Sequence, residues 1–196
     1  MWEMLASAYV TLAPVIFAGI LNMVWVKTKT FSLLAVHMDG GRFLADGRRI
    51  FGDNKTWKGF VGMIVLTAMA GLLWGMILKG RPLEEMNLYY HARPNTPLWS
   101  TLSGALSGFG YILFELPNSW LKRRLDIRPG KNPEGSWKVF FVILDQADSV
   151  LGCLVILRVF YPFSWGFFLA ALIAGAGTHL LLNMLLYALK LRKNMF

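Results

Sequence analysis

The stretch Leu144-Asp145-Gln146-Ala147-Asp148-Ser149-Val150-Leu151-Gly152 decides the fold. It lies inside an apolar run, Val139 to Phe160, long enough to cross a bilayer as a helix. Lipid tolerates such groups poorly: insertion scales put a central Asp at about 2.5–3.5 kcal/mol, and acids at that depth usually serve a function. A spacing of three sets Asp145 and Asp148 on one helical face, with Ser149 and Gly152 beside them. Two carboxylates so close repel and share protons unless a cation or a basic group lies between them. The pair therefore points to metal-assisted chemistry or to an ion path.

Outward from this run, the 196-residue chain is 56% hydrophobic and only 16% charged. It reads as an all-α integral membrane protein with a single membrane domain over 1–196. Five transmembrane helices are expected, at about 4–26, 59–78, 97–116, 139–160 and 164–189. No Lys or Arg precedes the first run, so it reads as a retained helix and not as a signal peptide.

Basic residues set the orientation. Lys27, Lys29, Arg42, Arg48, Arg49, Lys55 and Lys58 fall between the first and second spans. Lys122, Arg123, Arg124, Arg128, Lys131 and Lys138 fall between the third and fourth, and Lys190, Arg192 and Lys193 follow the fifth. The intervening segment has Lys79, Arg81 and Arg93, offset by Glu84 and Glu85. The positive-inside rule then puts the N-terminus outside and both basic loops in the cytosol. A net charge of +9 is thus a topology signal that also suits anionic headgroups, and no nucleic-acid partner is expected. Two basic loops on one side also suit an anionic substrate carrying several phosphates.

On this orientation Asp145 and Asp148 lie on the order of 10–15 Å below the cytosolic boundary. The third span runs the opposite way and brings Glu115 towards the same boundary. Ser100, Ser103, Gly104, Ser107 and Gly108 form a small-residue stripe on that span, which marks a close helix–helix face. Continued through Tyr111, that face carries Glu115 towards the acid pair. Three carboxylates with Gln146 nearby suit one or two hard cations of the Mg²⁺ type. His179 and Asn183, four apart in the last span with Tyr187 a turn on, read first as a polar pair that holds helices together. Cys153 is alone and reads as a small packing residue. Phe31–Val36 is too short to span and is expected at the interface.

The first basic loop contains Asp39-Gly40-Gly41-Arg42 and Asp46-Gly47-Arg48-Arg49-Ile50-Phe51-Gly52-Asp53-Asn54-Lys55-Thr56-Trp57-Lys58-Gly59. Glycines let backbone amides approach phosphate, while Arg and Lys supply donors. The spacing is not that of a Walker A loop. This long motif, then Leu121-Lys122-Arg123-Arg124-Leu125, then Leu144-Asp145-Gln146-Ala147-Asp148, resembles the CDP-archaeol synthase family. That family is the small five-helix branch of the membrane CTP:phosphatidate cytidylyltransferases. His179, Asn183 and Tyr187 resemble the polar positions of its last helix.

The resemblance implies Mg²⁺-dependent transfer of CMP from CTP to a membrane lipid phosphate, archaetidic-acid-like or phosphatidic-acid-like, with pyrophosphate released. Asp145, Asp148 and Glu115 would be the catalytic and metal residues. Arg48, Arg49, Asn54, Lys55 and Lys58 would grip CTP; Lys122, Arg123 and Arg124 would hold lipid phosphate or triphosphate. Where archaeal members commonly carry Gly-Asp, this chain has Phe114-Glu115, which keeps the acid on a longer side chain. The expected partners are CTP, the lipid acceptor and the bilayer, with a homodimer left open. The competing readings are a small cation or proton transporter using the same acids, and a membrane scaffold. The absence of an internal repeat argues against the transporter, and the long Asp46–Gly59 motif argues against the scaffold.

Overall fold

The computed structural model describes residues 2–131, 133, 135 and 137–190. Arg192 and Lys193, read above as part of the basic tail, lie outside the described residues. Among the described residues six α-helices follow in order: α1 (Trp2–Trp25), α2 (Trp57–Leu78), α3 (Leu88–Ala92), α4 (Pro97–Arg124), α5 (Trp137–Phe160) and α6 (Trp165–Ala188). No strand forms among the described residues; pairing is limited to isolated bridges between His37 and Thr56 and between Phe43 and Arg49.

Helix starts follow from capping. Thr56, Thr96 and Ser164 each accept a hydrogen bond from the amide three residues on, and Pro97 takes the first helical position of α4, where no N–H is needed. Among the described residues four helices, α1, α2, α5 and α6, are long and apolar enough to cross a membrane. Their outer faces expose Phe17, Leu73, Ile143 and Ile173, as a lipid-facing surface does. Helix α4 is longer but less apolar, because it carries the Ser/Gly stripe and Glu115.

The principal correction concerns the end of α4. The third span was expected to stop at Leu116, before Pro117, but the helix continues through Pro117 to Arg124. Proline removes one backbone donor and crowds the preceding turn, yet the turn beyond it is tied to α5 through Asn118 and Lys122. Lys122, Arg123 and Arg124 are therefore the last helical turn and not a loop, where cations favour the helix terminus. A second correction concerns the stripe. Its glycines meet α2, not α5: a Cβ on Gly104 would collide with the Thr67 carbonyl, and one on Gly108 would come within 2.9 Å of the Met63 carbonyl. Contact between α4 and α5 comes instead from Gly110 and Gly152, each lying against the other's carbonyl.

The segment between α2 and α3, read from sequence only as weakly charged, forms a 3-10 turn (Pro82–Met86) and leads into α3. Tyr89 of α3 is buried, with its hydroxyl 2.7 Å from Ser107 Oγ. Ser32–Leu34 forms a short 3-10 turn with Phe31, Leu33 and Val36 exposed around it. Cys153 is buried and unbridged, its thiol 3.5 Å from the Ser107 carbonyl.

Gly152→Val forces α4 and α5 apart at the level of the acids. Its expected cost is about 1–3 kcal/mol, the range for overpacking. Thermal unfolding in detergent should show a lowered midpoint; an unchanged midpoint would contradict the close approach.

Candidate active site

The acids of α5 are met by polar groups of α4, one helical turn after another. Lys122 Nζ donates to Asp145 Oδ2 at 2.5 Å. Asn118 Nδ2 donates to Asp145 Oδ1 and to Asp148 Oδ2, both at 2.7 Å. Asp148 Oδ1 accepts from the Ser149 amide at 2.6 Å and from Ser149 Oγ at 3.1 Å. The same hydroxyl lies 3.1 Å from Glu115 Oε1, and Glu115 Oε2 is ion-paired with Lys55 from the first basic loop. Lysines thus stand at both ends of a run of three carboxylates.

The run is a line, not a cage. Among the described residues no group of three or more His, Cys, Asp or Glu is grouped as a metal centre. Glu115, expected to complete a three-carboxylate set, is instead engaged by Lys55 and Ser149. Asp145 and Asp148 do converge, on the amide of Asn118. Carboxylate oxygens are the donors a small hard cation prefers, so the acid pair fits Mg²⁺, while Asn118 presents its NH₂ group to the acids.

The basic residues separate into two groups. Arg49 lies on Asp39 at 2.6 Å and on Asp53 at 2.7 Å. Arg124 pairs with Asp46 at 2.6 Å and donates to the carbonyls of Arg48 and Arg49. Arg48 in turn donates to the Arg124 carbonyl. Lys58 is only 2% exposed: its ammonium meets the Thr28 carbonyl at 2.6 Å and lies over the Trp25 ring. These four residues fold the first loop onto the ends of α1 and α4, and they do not line the cavity. Asn54, Lys55, Lys122 and Arg123 do line it.

Gly52 explains how the loop closes. Its φ of +98° is one that L side chains rarely adopt, and a Cβ there would come within 2.9 Å of Pro129. Asp39 organises the turn, accepting from the amides of Gly41, Phe51 and Gly52. Burial alone would raise this carboxyl, but the Arg49 guanidinium and those three amides outweigh it and hold it well below the usual carboxylate range.

The cavity measures about 650 Å³ and is walled by α1, α2, α4, α5 and α6. Its polar end has Asn54, Lys55, Lys122, Arg123, Glu115, Asp145 and Asp148; its apolar wall includes Leu12, Val15, Ile16 and Met63. Arg123 is 7% exposed, and its Nε and Nη1 have no hydrogen-bond partner among the described residues. In α6, Asn183 donates to Gln146 Oε1 at 2.8 Å, while His179 lies 3.4 Å from both the Gln146 carbonyl and the Tyr111 hydroxyl. That pair ties α6 to α5 and α4; Tyr187 is exposed.

Asn118 was missed from sequence. It lies three residues after Glu115 and four before Lys122, a spacing that marks one face only if the helix survives Pro117.

A multi-pass helical membrane protein with acids, lysines and an apolar cavity in one site is the class that fold and geometry define. A family model for CarS-like CDP-archaeol synthases matches residues 9–196. The CDP-archaeol synthase of Archaeoglobus fulgidus is 32% identical over 161 residues, 80% of this chain and 82% of that one. That of Pyrococcus furiosus is 28% identical over 189 residues, 96% of this chain and 92% of that one. That of Methanoculleus marisnigri is 35% identical over 125 residues, 64% of each chain. A solved structure described as an intramembrane enzyme for archaeal membrane lipid biosynthesis shares the fold, with a TM-score of 0.63 at 23% identity. That match covers 90% of this chain and 92% of that one. The chain belongs to the CDP-archaeol synthase family. It is a CTP-dependent cytidylyltransferase of membrane lipid synthesis.

The depressed Asp39 carboxyl gives a pH prediction. Because its folded value lies below the unfolded value of about 3.9, its contribution is complete above that pH and is lost as pH falls towards the folded value. Asp39→Asn should therefore speed hydrogen exchange at the Phe51 and Gly52 amides at neutral pH, where the native loop stays protected. Equal exchange in the two proteins would contradict the anchoring role.

Proposed function

We propose that the chain transfers CMP from CTP to a membrane lipid phosphate in a Mg²⁺-dependent reaction, yielding CDP-lipid and pyrophosphate. One observation carries the reading: the buried Arg123 guanidinium, short of partners, lines the same cavity as the acid pair and a long apolar wall. Buried N–H donors without acceptors are costly, and phosphate is the polyanion whose geometry a guanidinium matches. The names of the relatives supply the nucleotide and support an archaetidic-acid-like acceptor. Family membership displaces the transporter reading.

A lipid phosphate monoester has a second pKa of about 6 and is largely dianionic at neutral pH. Its oxygen needs no general base to attack the α-phosphorus of CTP. One P–O bond forms to the lipid phosphate as the bond to the β-phosphate oxygen breaks, and pyrophosphate leaves. Asp145 and Asp148 would hold Mg²⁺, which when bound screens the two anions and stabilises charge on the leaving group. Arg123, Lys122 and Lys55 orient the phosphates at the polar end of the cavity. Leu12, Ile16 and Met63 receive apolar chain and exclude water below the reacting groups.

On this reading α4 is the fifth crossing helix, its polar stripe shielded by α2 and its acid by α5. The N-terminus faces outward, and Lys55, Lys122 and Arg123 meet CTP from the cytosol, as the distribution of basic residues supports.

Arg123→Met tests the proposal. Without nucleotide its melting midpoint should equal or exceed that of the native protein, because buried N–H donors without acceptors are gone. The KM for CTP should rise about 10- to 100-fold, the loss of hydrogen bonds to a charged group. A native KM would overturn the assignment.

A further inference from the structure

Asn118 is used from one side only. Its Nδ2 spends both hydrogens on the acids, donating at 2.7 Å to Asp145 Oδ1 and to Asp148 Oδ2. Its Oδ1 is buried, in a residue 7% exposed, and finds no hydrogen-bond partner among the described residues. The side chain lines the cavity beside both acids, Lys122 and Arg123. With no donor on that oxygen, nothing among the described residues locks the amide in this orientation.

We infer that Asn118 is the third oxygen donor for the divalent cation between Asp145 and Asp148, and that its NH₂ group bridges the acids when no cation is bound. The inference rests on the cytidylyl-transfer reading of this site. A half-turn about the terminal torsion of Asn118 exchanges Nδ2 with Oδ1, and that torsion has a broad, roughly two-fold profile. With Nδ2 inward, the amide protons separate the carboxylates. With Oδ1 inward, three oxygens face one another without a proton among them, which is favourable only around a cation.

The assignment also accounts for Glu115. That acid is engaged by Lys55 and Ser149, so the contribution of α4 to the cation comes one turn later. Asn118 thus acts both as placeholder and as ligand, and entry of the ion needs no movement of helix backbone. The residue keeps the acid pair apart before the ion arrives and completes its shell afterwards.

The test uses the full chain in detergent with Mn²⁺ as the spectroscopic probe. Free Mn²⁺ is followed by electron paramagnetic resonance, and the metal-dependent rise in melting midpoint is measured in parallel. Asn118→Leu should weaken Mn²⁺ binding at least about tenfold. Asn118→Asp keeps an oxygen and loses both N–H groups; it should melt below the native protein without metal and gain more from Mn²⁺ than the native protein does. Asp148→Asn is the control for the underlying site. If it weakens Mn²⁺ binding while Asn118→Leu binds as the native chain does, the role of Asn118 is overturned and the cytidylyl-transfer reading stands. If Asp148→Asn itself leaves Mn²⁺ affinity unchanged, the metal site fails and the inference with it. Should Asn118→Leu not fold, Asn118→Asp decides: a metal-dependent rise no larger than native overturns the proposal.

Discussion

Burying carboxylates in a lipid-embedded helix requires partners, and here every partner comes from outside that helix turn except Ser149. Lys122 and Asn118 reach Asp145 from α4, Asn118 reaches Asp148, and Lys55 reaches Glu115 from the first loop. The rest of the structure is arranged so that these groups arrive together. Removing one partner would leave an uncompensated charge at depth, a far larger penalty than losing an exposed pair. Lys55 and Lys122 pair with Glu115 and Asp145, while Asp148 is hydrogen-bonded, among the described residues, only by the neutral groups of Asn118 and Ser149.

Helix α4 pays for this arrangement with its own apolarity. Its serines and glycines let α2 and α5 approach at backbone distance, so a polar helix is shielded by two apolar ones. Its extension past Pro117 supplies the face on which Glu115, Asn118 and Lys122 succeed one another. At its end, adjacent residues take opposite roles because successive side chains on a helix point about 100° apart. Arg123 turns into the cavity, while Arg124 turns outward to clasp the first loop.

Much of this was legible in the chain. Apolar runs located the four most hydrophobic helices to within a few residues, and the three-residue spacing of Asp145 and Asp148 correctly put both on one face. Spacing also marked His179 and Asn183 as helix-joining residues, which their contacts with Gln146 bear out. The end of α4 was not legible, because proline's local preference to stop a helix is overridden here by tertiary packing that no local pattern records. That single misreading hid Asn118. Nor does charge alone distinguish an arginine that holds a loop from one that awaits an anion. Arg48, Arg49 and Arg124 donate to acids or carbonyls, while Nε and Nη1 of Arg123 have no acceptor among the described residues, a difference that only three-dimensional neighbours create.

The central claim is that these buried acids serve transfer of a nucleotide to a lipid phosphate. It is tested most directly in proteoliposomes containing a lipid phosphate, with CTP radiolabelled at the α-phosphate and Mg²⁺ present. The native chain should move label into the lipid fraction and release pyrophosphate in equal amount, while a folded Asp145→Asn protein should move none. Label that stays in water-soluble CMP, or undiminished transfer by Asp145→Asn, would contradict the account.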